Sequence, residues 1–110
     1  SRGLGDVYKR QGMNTQIQRT GTEMTVTIEG SIDTVTAPEL EQQLLAQWDG
    51  ASRLVLNFAQ VDYVSSAGLR VILKSQKHMA KAGKMILLNV SEDVMEVFEM
   101  TGFDELLHFE

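Results

Sequence analysis

A chain of 110 residues with no cysteine, 43% hydrophobic residues and a net charge of −5 is long enough for one self-sufficient core. It excludes disulfides, thiolate catalysis and cysteine-based metal sites, and its 15 acidic against 10 basic residues argue against non-specific nucleic-acid binding. No stretch nears the roughly 20 apolar residues of a membrane span, and no basic segment leads into an apolar one at the N-terminus, so neither membrane insertion nor a signal peptide is expected; the lack of disulfides suits a cytoplasmic protein.

Residues 1–12 show neither helical nor strand periodicity and are broken by Gly3, Gly5 and Gly12. They read as a leader, an expression-derived segment or a misassigned start, disordered, with the native chain beginning at Met13; the rival reading is a short disordered arm. One domain is expected over 13–110. Arg2, Lys9, Arg10 and Asp6 precede Met13, which leaves 7 basic and 14 acidic residues after it.

Asn14 to Arg19 is a strand candidate and Thr20-Gly21-Thr22 a turn. Glu23 to Glu29 alternates, with Met24, Val26 and Ile28 on one face, the mark of a strand with one buried face. The two strands are placed to form a hairpin, and Gly30 to Asp33 ends the second. Thr36-Ala-Pro-Glu39 predicts a helix start, with Thr36 as cap, Glu39 reaching back and Pro38 in the first turn. Leu40, Leu44, Leu45 and Trp48 form its apolar stripe, and Asp49-Gly50 closes it.

Leu54-Val55-Leu56 is a short apolar run that suits a strand covered on both faces, as in parallel pairing. A helix is predicted from about Ser66 to Ala82, with Leu69, Ile72, Leu73, Met79 and Ala80 inward and Gly83 as a left-handed C-cap. Met85 to Leu88 repeats the buried-strand pattern. Ser91 predicts the cap of a third helix, with Glu92 and Asp93 in its first turn and Val94, Val97 and Phe98 inward. Leu106 to Phe109 is expected as a last short strand. The alternation implies an α/β domain: a mixed sheet, N-terminal hairpin then parallel strands, packed with three helices.

Enzyme constellations are poor. A serine hydrolase needs a strained nucleophile turn and a histidine base. Ser65 and Ser66 lack the leading glycine, and His78 lies roughly 18 Å along the helix from Ser66 at about 1.5 Å per residue. His78 and His108 offer no clustered metal site, and phosphate loops of the G-x-x-x-x-G-K-[ST] and G-x-G-x-x-G types are absent. The chain reads as a binding or regulatory module, not an enzyme, with no cofactor.

Ser65 and Ser66 stand where a buried strand hands over to a helix. One of them is expected to cap the helix, an effect of about 1 kcal/mol. A phosphate here would meet free N–H groups at the positive helix end, and Arg70, four residues after Ser66, shares its helix face. Arg70, Lys74, Lys77 and Lys81 follow at spacings of four, three and four and form one basic stripe continuous with Ser66. Such a stripe is most simply a solvated face; the sharper reading is an electrostatic docking strip for an acidic partner. The six methionines, Met95 and Met100 included, read as core filler.

The segment Val61-Asp-Tyr-Val-Ser-Ser-Ala-Gly-Leu69 resembles the phosphorylation segment of bacterial anti-sigma factor antagonists of the STAS-domain family. Gly30-Ser-Ile-Asp33, Leu54-Val-Leu-Asn-Phe58 and Met100-Thr-Gly-Phe103 resemble further family segments in the same order, so the likeness runs from Met13 to Glu110. It implies that Ser66, two residues before Gly68-Leu69, is the phosphate acceptor, with Asp33 an acidic position beside it. It also implies partner switching. The unphosphorylated protein would bind an anti-sigma factor that is a serine kinase, phosphorylation would release it, and a PP2C-type phosphatase would reset the cycle.

Three departures stand out: Ser65 where Asp is frequent, Ala67 where Ser or Thr is usual, and the family's common C-terminal helix, which is expected to be missing after Glu110. Ser65 is thus a secondary acceptor candidate, or the pair reflects a different kinase preference. The partner-facing residues expected from motif and stripe are Asp33, Asp62, Ser65, Ser66, Gly68, Leu69, Arg70 and Lys74, with Asp33 and Asp62 near the phosphate. The alternative is a STAS scaffold in a transport or stress assembly that binds its partner without phosphorylation.

Overall fold

The computed structural model describes the backbone of residues 6–10 and 12–110, and side chains from residue 12 onward. Five strands lie side by side in chain order: β1 (Asp6–Arg10), β2 (Met13–Thr20), β3 (Glu23–Ile32), β4 (Arg53–Val64) and β5 (Lys84–Leu88). The pairs β1–β2 and β2–β3 are antiparallel; β3–β4 and β4–β5 are parallel. Three helices follow the last three strands: α1 (Ala37–Gln47), α2 (Ser66–Ala82) and α3 (Glu92–Thr101).

The topology follows from the chain. Gly21, at φ +61°, turns β2 tightly into β3. Parallel neighbours need long crossovers, which α1 and α2 supply. Right-handed crossovers that add each new strand on the same side place their helices on one face of the sheet. The burial pattern agrees. Ile17, Met24, Val26, Ile28, Leu54, Leu56, Phe58, Met85 and Leu87 alternate along their strands and form one cluster with Leu40, Leu44, Ile72, Met79, Val94 and Phe98 from the helices. The intervening Val55 and Ile86 are buried as well, so both apolar runs have the two-sided burial their composition predicted.

The far end of β3 is bent. Gly30 adopts φ +98°, and a Cβ there would lie 2.2 Å from the Gly12 carbonyl oxygen, which accepts from the Ser31 N–H at 2.8 Å. The β3–β4 register shifts on both sides of this point, and the bulge carries Ser31 and Ile32 alongside Tyr63 and Val64. The ends of two strands, each leading into a helix, are thereby set next to one another.

Several sequence-based expectations are corrected. Asp6–Arg10 pairs with β2 as an edge strand, where disorder was expected; for residues 1–5 and 11 that expectation lies outside the described residues. Leu45 and Ala80 face solvent, because helical spacing alone does not fix where a stripe ends; Val71 and Ser75 fill the inward face of α2 instead. Gly83 is not left-handed. It is required by close approach, since a Cβ would sit 1.9 Å from the Ser52 carbonyl oxygen. The C-terminal strand shrinks to one bridge, Leu87 to Phe109, after a single 3-10 turn at Phe103–Glu105. Met95 packs half-buried against the core, but Met100 is 81% exposed. His78, which offered no metal site, is half-buried: its ring stacks on Trp48 at 4.0 Å and 6°, joining α2 to the end of α1.

Candidate functional site

Two strand-to-helix junctions meet at the carboxyl ends of β3 and β4. At the first, Asp33 and Thr36 divide the capping work. Asp33 Oδ1 accepts from the N–H groups of Val35 (2.9 Å) and Thr36 (3.0 Å), and Asp33 O accepts from Ala37 N–H (2.8 Å). Thr36 Oγ1 accepts from Asp33 N–H (2.8 Å) and donates to Ser31 O (2.7 Å). Asp33 is therefore the side-chain cap, and the predicted capping box of Thr36 and Glu39 does not form. Thr36 is 1% exposed and locks the turn from inside, while Pro38 sits in the first turn as expected. The Thr36 N–H chiefly, aided by the Thr36 hydroxyl and the N–H groups of Val35 and Asp33, holds the Asp33 carboxyl below its ordinary value against the opposing effect of burial.

At the second junction, Ser65 is extended, at φ −87° and ψ 177°, and its Oγ accepts from Gly68 N–H at 3.3 Å. Its backbone is tied on both sides: Ser65 N–H donates to Ile32 O at 2.9 Å, and Ser65 O accepts from Leu69 N–H at 2.8 Å. Ser65 is thus the N-cap. Ser66 is the first residue of α2, and its side chain is exposed. Serine and aspartate are comparable caps, so either residue at position 65 would hold this turn.

Gly68, two residues after Ser66, is required by close approach. A Cβ there would meet Ile32 O at 2.7 Å, Ile32 Cγ2 at 2.9 Å and Val64 Cγ1 at 3.0 Å. The first turn of α2 therefore rests directly on the end of β3. Gly68 is buried and Leu69 is only 8% exposed within the core. The expectation that these two residues face a partner is corrected: they position the turn that presents Ser66. Asp62 is exposed and accepts from Ser31 Oγ at 3.1 Å, so its carboxylate is held at the β3 bulge.

Around this end, Arg70 and Lys74 are exposed as predicted. Lys74 reaches across to Glu41 of α1, and a groove of about 290 Å³ opens between the helices, lined by Ala37, Pro38, Ala67 and Val71 as well as Arg70 and this ion pair. Sequence reasoning missed two apolar neighbours, Val35 (76% exposed) and Tyr63 (52% exposed). Tyr63 lay inside the motif, but a strand residue shows its exposed side only once register is known. No cluster of metal-ligating side chains occurs among the described residues, and no helix among them is long and apolar enough to cross a membrane.

A mixed sheet with three helices in this order defines a fold class, and the comparisons with known proteins match it. The STAS domain model covers residues 14–110, and the chain belongs to the STAS domain family. BtrV of Bordetella bronchiseptica, named as a candidate anti-sigma factor antagonist, is 41% identical over 78 residues, covering 69% of this chain and 67% of the relative. An anti-sigma factor antagonist from Mycobacterium paratuberculosis shares the fold at a TM-score of 0.79 and 24% identity, covering 88% of this chain and 84% of its own. The antagonist SpoIIAA superposes in its unphosphorylated form at a TM-score of 0.74 and 22% identity, with 87% of each chain covered. Its phosphorylated form, from Bacillus, superposes at 0.68 and 20% identity, covering 87% of this chain and 90% of that one.

Proposed function

We propose that the chain is an anti-sigma factor antagonist that switches partners through Ser66. One observation carries this reading: of two adjacent serines, Ser65 spends its hydroxyl on the α2 cap, while Ser66 holds its side chain out at the first position of the same helix. A STAS relative named as an antagonist, and a structural neighbour recorded with and without phosphate, support the same reading.

In the unphosphorylated form the chain binds an anti-sigma factor that is also a serine kinase. The kinase moves the γ-phosphoryl group of ATP to Ser66 Oγ, the hydroxyl loses its proton and ADP leaves. The product carries about −1.5 to −2 additional charge beside Asp33, the residue next to Ile32, whose carbonyl anchors Ser65. Like charges a few ångströms apart cost on the order of 1 kcal/mol in water and several times that at a dry interface. The bound complex therefore feels the phosphate more than the free domain does. A PP2C-type phosphatase restores the binding form.

The test is incubation with candidate anti-sigma factor kinases and ATP, followed by mass spectrometry. One added phosphate that disappears in Ser66→Ala and persists in Ser65→Ala is expected. Phosphate that persists in Ser66→Ala, or an anti-sigma factor that binds Ser66→Asp as tightly as the unmodified chain, would overturn the reading.

A further inference from the structure

We propose that the exposed face of α2, with the α1–α2 groove beside it, docks an acidic segment of the anti-sigma factor, and that Arg70 serves this segment in the binding form and the Ser66 phosphate in the released form. The inference rests on the reading above and adds the chemistry of the surface and the residue through which the switch acts.

The first support is the distribution of charge. Arg70, Lys74, Lys77 and Lys81 are all exposed on one helix, while the rest of 13–110 holds three basic against 14 acidic residues. Two of those three are already engaged. Arg19 donates to the carbonyl oxygens of Gly21, Gln47 and Asp49, and Arg53 pairs with Glu23 and Glu110. On α2 only Lys74 is paired, to Glu41; Arg70, Lys77 and Lys81 make no ion pair among the described residues. Lys84, at the start of β5, is the other exposed cation without an ion pair among the described residues; the remaining three lie on one helix, in line with Ser66.

The second support is shape. The groove runs along the foot of this face, beginning at Ala67 next to Ser66. Its apolar surface comes from Ala37, Pro38, Ala67 and Val71, and its rim carries Arg70 and Lys74. Glu41 also lies on the rim, but its charge is balanced by Lys74. A segment that combines small apolar side chains with carboxylates matches both parts. The guanidinium of Arg70 binds carboxylate and phosphate with the same paired N–H groups, and residues four apart on a helix are neighbours. A phosphate on Ser66 therefore draws Arg70 away from the partner and reverses the sign of this end of the stripe.

The experiment measures association of the unmodified chain with the kinase that phosphorylates it, at about 20 mM and about 200 mM salt, where screening differs severalfold. Arg70→Glu/Lys77→Glu is expected to slow association at low salt by about tenfold or more, with little effect at high salt. Lys84→Glu, an exposed charge reversal off the stripe, is the control and should change the rate by less than about twofold. Equal slowing by both variants, or none by either, would overturn the docking surface while leaving the Ser66 switch standing if Ser66→Asp still abolishes binding. Loss of the Ser66→Asp effect would instead overturn the switch. Sedimentation of the chain alone covers the other occupant. The exposed Glu92, Glu96 and Glu99 of α3 could receive the stripe of a second copy, and salt-sensitive self-association abolished by Arg70→Glu/Lys77→Glu would overturn the proposal in favour of that contact.

Discussion

The β3–α1 and β4–α2 junctions lie side by side and are built alike, yet one is closed and the other open. At the first, the Asp33 carboxylate, the Thr36 hydroxyl and the neighbouring amides satisfy one another, and Thr36 is buried. At the second, one hydroxyl, that of Ser65, completes the cap and the next is left to solvent. At the first turn the hydroxyl left exposed, Thr34, lies ahead of the helix, whereas the second turn caps itself with one residue and leaves the first residue of the helix free for chemistry without loss of structure. The two are coupled, because Ile32 O accepts from Ser65 N–H and abuts Gly68. The closed turn is the bed on which the open one lies.

Gly68→Val should disturb this arrangement most. It drives a branched side chain into Ile32 and Val64 and should cost about 3 kcal/mol, read from chemical denaturation. Thr36→Val keeps shape but strands Ser31 O and Asp33 N–H, with an expected loss of about 2 kcal/mol in the same assay. At the open junction, Ser65→Ala removes the cap and should cost about 1 kcal/mol, while Ser66→Ala should stay within about 0.5 kcal/mol. Equal losses for the two serines would erase the division of labour between them. The smallest effect is the pH dependence of Asp33. Its carboxyl is lowered in the folded state, so its contribution is full above the ordinary value of about 4 and is lost as the pH falls through the lowered one. Acid titration of stability should therefore be shallower below about pH 4 in Asp33→Asn than in the unmodified chain.

Much of this was legible in the sequence, for reasons that can be named. The alternation from Glu23 to Glu29 and the apolar runs at 54–56 and 85–88 follow from periodicity, whereas the expectation for Ser66 came from the family resemblance of the segment around Gly68-Leu69 and not from spacing. What could not be read were choices between equivalent local solutions. Asp33 and Thr36 are both good caps three residues apart, and sequence does not say that Thr36 turns inward to the Ser31 carbonyl while Asp33 takes the amides of the helix start. Gly68 has the same letter in a contact surface as in a close approach; the Ile32 carbonyl beside it, distant in sequence, settles which it is. His78 looked solitary because its partner, Trp48, lies 30 positions earlier and meets it only when α1 and α2 pack.

That last contact has a spectroscopic consequence. Trp48 is the sole tryptophan in the chain, 6% exposed and covered by a parallel imidazole from the neighbouring helix. Its emission is thus an intrinsic optical gauge of the α1–α2 joint, the same joint that walls the groove beside Ser66. A rearrangement of those two helices on modification or binding would register as a change in intensity or wavelength with no label attached, whereas a purely electrostatic switch at the helix end would leave the signal still.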